Sequence, residues 1–173
     1  MDSKEFLEFY SPVHQYEYAL YEQRCHRGTA PNIMQCVARF GIETTAKAID
    51  ALIMDFISYT PARNRSINNE QRRQLVYVII TQFKSLKITQ LILFIVKAKA
   101  GVFGKFYSNI EPMDITIALQ QWKVICDHEI TEFYAQRARE MRDEDLEQAR
   151  RMEDDLRAKY DEIIALNIHM LKI

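Results

Sequence analysis

The chain has 173 residues, of which 48% are hydrophobic and 27% charged, with a formal net charge of −1. This length is typical of one domain, and the composition excludes a disordered chain because enough apolar surface is present to form a core. Only four glycines and four prolines occur, far fewer turn positions than a sheet protein requires. We therefore expect an all-α fold, a single-domain bundle of five or six helices.

The cellular setting is indicated by what the N-terminus and the apolar runs lack. The first ten residues, MDSKEFLEFY, have no basic region followed by an apolar one, so we see no secretory signal. The longest apolar runs, Leu75–Ile80 and Leu91–Val96, are far shorter than the roughly 20 residues that span a bilayer. The chain has three cysteines, Cys25, Cys36 and Cys126. Their odd number and their spacing do not fit a disulfide framework, so we expect reduced thiols. We expect a cytoplasmic protein with no membrane partner.

The N-terminal part of the chain predicts three helical regions. Ser3 is the expected N-cap of the first, which Pro12 interrupts and Gly28 ends. A short helix from Asn32 to Arg39 follows Pro31. A tight connection at Phe40-Gly41-Ile42 leads into a longer helix with apolar residues at helical spacing. This arrangement has only a superficial similarity to a DNA-binding helix-turn-helix motif, and we interpret it as a helical hairpin.

Two strongly apolar segments form the expected centre of the fold. Asn68 and Gln71 have the spacing of a capping box at the start of a helix over residues 70–83. A second apolar helix is expected over residues 88–100. Both segments are rich in β-branched residues, which leaves a strand interpretation open. We favour helices because no glycine, proline or Asn-Gly turn separates the two segments.

The C-terminal part begins with a long helix from Met113 and changes character after residue 135. Residues 136–162 contain seven basic and ten acidic side chains. A narrow apolar stripe persists at spacings of three or four, which is typical of a helix that packs one edge or forms a coiled coil: Leu146, Ala149, Met152, Leu156, Tyr160 and Ile163. We therefore divide the chain into a helical core, residues 1–135, and a charged extension, residues 136–173.

The motifs of common catalytic and metal sites are missing. The cysteines and histidines form no CxxC or HxxxH pair, so no metal site is expected. Neither a nucleophile elbow nor a phosphate-binding glycine loop occurs. We expect a non-enzymatic protein without a cofactor. A hydrolase whose site is built from distant residues is the remaining enzymatic alternative.

Positive charge is concentrated in the middle of the chain. Residues 61–105 contain nine Lys or Arg residues against the single acidic residue Glu70. This segment ends at two glycines with aromatic neighbours, a combination that can present cations to phosphates and rings to bases. The candidate nucleic-acid-binding residues are Arg72, Arg73, Lys97, Lys99, Gly101, Gly104, Lys105, Phe106 and Tyr107. The alternative is that Phe103 and the other rings of this element only close the core, with lysines around them.

The same element carries a family resemblance. An apolar helix leading into Lys99, Gly101, Gly104, Phe106 and Tyr107 resembles an uncharacterised family of small helical proteins found in mobile elements of Bacteroides-type bacteria. In that family the run reads KAG-x-YG-x-FYG, whereas this chain has Phe103 for the tyrosine and Ser108 for the last glycine. The resemblance covers roughly residues 30–125. It implies no activity, but it implies a mobile-element setting.

Two functional hypotheses follow. The first is an accessory protein of a mobile element, acting in replication or DNA transfer, which binds DNA through the basic central segment. The second is a protein–protein adaptor that binds a partner, or associates with itself, through the charged C-terminal helix.

Overall fold

The computed structural model describes residues 1–59, 67–104 and 110–170, with side chains described as far as residue 159. These residues form α-helices, and their extended structure is limited to an isolated bridge between Asn32 and Lys87. The all-α class predicted from composition is confirmed. The chain divides into two units, Met1–Ile130 and Thr131–Ile173, whereas the sequence placed the boundary after residue 135.

The N-terminal region consists of short helices: α1 (Ser3–Phe9), a 3₁₀ turn (Pro12–His14), α2 (Gln15–Leu20) and α3 (Glu22–Arg27). The prediction that Ser3 caps the first helix is wrong. Asp2 is the N-cap, and its carboxylate accepts the Glu5 N–H at 2.8 Å while Glu5 accepts the Asp2 N–H at 2.8 Å. Ser3 then lies inside the first turn. A carboxylate next to the N-terminal dipole is the stronger cap of the two.

The helical hairpin predicted around Gly41 is present as α4 (Ile33–Phe40) and α5 (Ile42–Tyr59). Asn32 caps α4 through a reciprocal pair of hydrogen bonds with Gln35. Gly41 has φ +83°, and its N–H donates to the Val37 carbonyl at 3.0 Å. A residue with a Cβ is strained at this φ, so glycine allows the immediate change of direction.

The two central apolar segments are helices, as predicted: α6 (Asn69–Gln82) and α7 (Ile88–Lys99). Asn68 and Gln71 form the expected capping box, with both hydrogen bonds at 2.9 Å. The extended stretch before α7 pairs with the start of α4. The Ile33 N–H donates to the Leu86 carbonyl at 2.9 Å, and the Ile88 N–H donates to the Pro31 carbonyl at 3.0 Å.

Helix α7 lies at the centre of the first unit. Every residue from Ile88 to Ile95 is buried, so this helix is covered on all sides rather than along one stripe. Helices α2, α3 and α5 pack against it. The largest fully buried side chains come from several helices and define the core: Phe6, Ile33, Leu52, Phe56, Ile79, Phe94 and Trp122.

The last helix, α8 (Pro112–Met170), starts one residue before the predicted Met113. Its first part contributes Ile115, Leu119, Trp122 and Cys126 to the core of the first unit. From Thr131 onward it belongs to the second unit. In that unit, the described side chains through residue 159 are exposed, apart from the intermediate Phe133.

Candidate functional site

The two glycines after α7 make the turn that the sequence predicts. Gly101 has φ +80° and Gly104 has φ +96°. The Val102 N–H donates to the Lys97 carbonyl at 3.1 Å, and the Gly101 N–H donates to the Ala98 carbonyl at 3.0 Å. These two bonds form a Schellman cap, which satisfies carbonyls at the end of the helix. Gly101 therefore ends α7, and Gly104 turns the backbone again.

The aromatic residue between these glycines belongs to the core. The Phe103 ring lies 5.2 Å from the Phe94 ring and 6.0 Å from the Trp122 ring, measured between centroids. Such ring pairs add to the energy of apolar burial. The position of Phe103 therefore matches the alternative in which this ring closes the core, and not the one in which it stacks on a base. The candidate residues Lys105, Phe106 and Tyr107 lie outside the described residues.

The two candidate arginines at the start of α6 are both paired with carboxylates. Arg72 Nε donates to Asp50 Oδ1 on α5 at 2.7 Å, and the arginine side chain is 21% exposed. Arg73 lies 3.5 Å from Glu70 on its own helix and is 70% exposed. A charge-assisted bond from a partly buried arginine fixes α6 against α5. The exposed Arg73 pair contributes little.

The two candidate lysines at the end of α7 are paired as well. Lys97 Nζ lies 2.8 Å from Glu22 on α3 and 5.8 Å from the Trp122 ring centroid. Lys99 Nζ lies 2.5 Å from Asp55 on α5 and donates to Gln15 at 3.0 Å. The Lys99 side chain is only 7% exposed. These four cations therefore neutralise carboxylates of other residues, and Lys99 does not present its charge at the surface.

A buried polar network that the sequence did not reveal joins α3, α7 and α8. Lys87 Nζ donates to the His26 carbonyl at 2.8 Å and to the Gly28 carbonyl at 2.6 Å, so it caps the C-terminus of α3. Trp122 Nε1 donates to the Gln90 carbonyl at 2.9 Å. His26 Nδ1 lies 3.4 Å from Gln90 Nε2. No local spacing links these residues, because the hydrogen bonds join helices that are distant in sequence.

Burial shifts the protonation of the two basic groups in this network. Burial lowers the pKa of His26, against a smaller opposing effect of the Glu22 and Glu129 carboxylates. Burial also lowers the pKa of Lys87. Removing charged groups from water favours their neutral forms. The His26 ring is only 3% exposed, so we interpret this network as part of the structure rather than as a site open to a substrate.

The second unit presents a different kind of surface. Leu146, Met152 and Leu156 are 58%, 70% and 68% exposed. The other side chains of this helix are largely charged, and Arg151 Nη2 lies 3.4 Å from Glu147 Oε2. Apolar side chains at helical spacing on an exposed helix are the pattern of a surface that packs against another helix.

The described residues contain neither a cluster of metal-binding side chains nor a helix that could cross a membrane. No group of three or more His, Cys, Asp or Glu side chains there is placed to hold a metal ion. No described helix combines the length and apolar character needed to cross a bilayer. The three cysteines are buried and unbonded to one another.

These features define an all-α protein with a packed helical unit and an exposed charged helix. Residues 67–152 match the sequence profile of a family of unknown function, DUF6633. This range includes α6, α7 and much of α8, and it shares residues 67–125 with the resemblance drawn from the sequence. Comparisons with curated proteins and with solved structures gave no match.

Proposed function

We propose that this protein is a non-enzymatic interaction protein whose exposed helical segment, Thr131–Lys159, pairs with the same segment of a second copy. The observation that carries this proposal is the exposure of Leu146, Met152 and Leu156 on a helix whose other side chains are largely charged. When two copies pair, the exposed parts of these three side chains become buried. The apolar area that this removes from water stabilises the pair.

The charges of this segment favour a second copy as the partner. Residues 131–159 contain seven basic and nine acidic side chains, so two copies meet without strong net repulsion. The signs also alternate in blocks: residues 143–145 and Glu147 are acidic, Arg150 and Arg151 basic, residues 153–155 acidic, and Arg157 and Lys159 basic. In an antiparallel pair centred near Met152, blocks of opposite sign lie level with each other. Such an arrangement supplies charge complementarity across the pair.

Light scattering on the full chain tests this proposal. We expect a mass of twice the 20.5 kDa of one chain, falling to one chain when Leu146, Met152 and Leu156 are all replaced by Gln. The control replaces Arg137 and Glu140 by Gln, which lie outside these charge blocks and away from the apolar face by spacing, and keeps the dimer mass. A monomeric full chain at high concentration contradicts the proposal, as does a dimer that survives the first set of substitutions.

Binding of DNA by the central basic segment, and with it a role in replication or transfer of a mobile element, stays a prediction. Its strongest support is the excess of positive charge in residues 61–105. The pairing of Arg72, Arg73, Lys97 and Lys99 with carboxylates reduces that support. The exposed helix is therefore the better-supported basis for function.

A further inference from the structure

A cavity of about 640 Å³ opens among the N-terminal helices of the first unit. Residues of α1, the 3₁₀ turn, α2 and α3 line it, together with Thr89 of α7. This volume is within the range of about 300–1,000 Å³ that is typical of sites for small ligands. It is large enough for one ligand of two or three fused or linked rings.

Four aromatic rings form much of the wall: Phe9, Tyr10, Tyr18 and Tyr21. Tyr10 and Tyr18 lie nearly parallel at 6.2 Å between centroids, and Phe9 meets both of them edge to face. The Tyr18 hydroxyl donates to the Phe9 carbonyl at 3.1 Å, which joins α2 to α1. The wall is therefore preformed, and it favours a planar ring, which can stack on or meet these faces.

The exposure of two of these rings is a second observation. Phe9 is 53% exposed and Tyr21 is 59% exposed, although both line the cavity. Large apolar side chains that remain exposed around a concave surface commonly mark a binding site. A planar ligand would cover part of both rings and recover the apolar burial that the fold itself leaves unused.

Arg24 supplies the charge at this site. Its guanidinium carbon lies 5.7 Å from the Tyr21 ring centroid, and none of the carboxylates described in the structure forms an ion pair with it. Nearby Arg27 and Lys97, by contrast, pair with Glu129 and Glu22. An arginine held over a ring and lacking a carboxylate suits a bidentate anionic group such as carboxylate, phosphate or sulfonate.

The other charged groups at the cavity are already engaged. Glu17 lies 3.5 Å from His14 Nδ1, and the Met1 amine lies 3.4 Å from Glu5. An aromatic wall alone could hold a cation, but the Arg24 guanidinium in the cavity lining repels a cationic ligand. We propose that this cavity binds a small ligand with a planar aromatic ring and one anionic group, the ring against the aromatic wall and the anion on Arg24.

A fluorescence titration with 8-anilinonaphthalene-1-sulfonate, a planar anion, tests this inference. We expect saturable binding of one probe per chain, weakened about tenfold in Arg24→Gln, since a lost charge-assisted contact is worth at least about 1.4 kcal/mol. The matched control is Arg39→Gln. Arg39 also lies over a ring, 5.2 Å from the Phe40 centroid, but does not line the cavity. Its removal should leave probe binding unchanged.

Competition distinguishes the sources of such a ligand. Adenosine monophosphate represents nucleotides and indole-3-carboxylate represents aromatic acids, with adenosine and indole as their neutral counterparts. Displacement of the probe by either anion, and weaker displacement by its neutral counterpart, supports the inference. The inference is overturned if the probe does not bind, if Arg24→Gln and Arg39→Gln have the same effect, or if the neutral compounds compete as well as the anions. Circular dichroism of both variants checks that they fold.

Discussion

Lys99 Nζ lies 2.5 Å from Asp55 Oδ2, and this contact joins the last turn of α7 to α5 inside the first unit. The lysine side chain is 7% exposed and the aspartate side chain 27% exposed. Gln15 of α2 accepts a second hydrogen bond from the same ammonium group, so three helices meet at one charge. A buried cation with these partners holds the fold together and is not available to a phosphate.

Replacing Lys99 by Met is expected to lower the free energy of unfolding by about 3 kcal/mol, because Asp55 loses its partner while it remains largely buried. Chemical denaturation measures this change. The control Arg73→Gln removes an exposed ion pair of similar chemistry and should cost less than about 1 kcal/mol. Equal effects of the two substitutions would contradict the structural role of Lys99.

Replacing Ile79 by Asp is expected to unfold the protein. Ile79 is fully buried on α6, and an unpaired buried carboxylate costs a large share of the roughly 5–15 kcal/mol that stabilises a typical domain. The matched control is Val78→Asp on the same helix, where the native side chain is 36% exposed. Helical content and melting by circular dichroism measure both. A native melt for Ile79→Asp would show that α6 does not pack as described.

Local sequence signals explain why much of the fold could be predicted. The Asn68–Gln71 pair and Gly41 act within one turn of chain, so their spacing alone identified a helix start and a helix end. The strand alternative for the two apolar segments is wrong, since both are helices, and α7 is buried on all sides. Uniform burial selects apolar residues regardless of their β propensity. The N-cap at Asp2 was missed because Asp2 and Ser3 are both good caps, and a sequence pattern does not locate a helix end to within one residue.

The candidate nucleic-acid site could not be assigned from the sequence, because a count of charges within one segment does not show which carboxylates elsewhere in the chain pair with them. Residues 61–105 contain almost no acidic residues, yet Asp50, Asp55 and Glu22 reach their cations from helices earlier in the chain. Nothing in the local composition reports these contacts. The aromatic cavity was missed because its wall is assembled from separate short helices, and no local pattern shows that they lie side by side.

Stability is expected to fall as the pH decreases below about 6.5, in part through His26. Burial lowers the pKa of His26 from its ordinary value of 6.5. In this range the unfolded chain therefore binds a proton that the folded chain does not, and acidification favours unfolding. Glu22, Glu129, Lys97 and Arg27 face the ring and modify the shift. Urea midpoints at pH 7.5 and 5.5 should differ less in His26→Gln than in the parent. His14→Gln, at an exposed position, should keep the parental difference.

The three cysteine thiols are expected to react slowly in the folded protein. Burial raises the pKa of Cys25 and Cys36 to about 11 and that of Cys126 to about 12. Since the thiolate is the reactive form, both its scarcity and its inaccessibility slow attack. Ellman's reagent at pH 8 should label three thiols rapidly in guanidinium chloride and very slowly in buffer. A thiol that reacts in buffer as fast as a free thiol would contradict the burial of these side chains.

Titration of labelled DNA at several salt concentrations tests the predicted nucleic-acid site. Binding through this segment requires that log K fall with log salt concentration by about 0.9 for each phosphate neutralised. Arg73 is the most exposed of the four described cations, so Arg73→Gln should reduce that slope by about one contact. Arg39→Gln, on α4, is the matched control. Absence of binding at about 50 mM salt, or a slope that Arg73→Gln leaves unchanged, would contradict the assignment of Arg73 and leave the exposed helix as the basis for function.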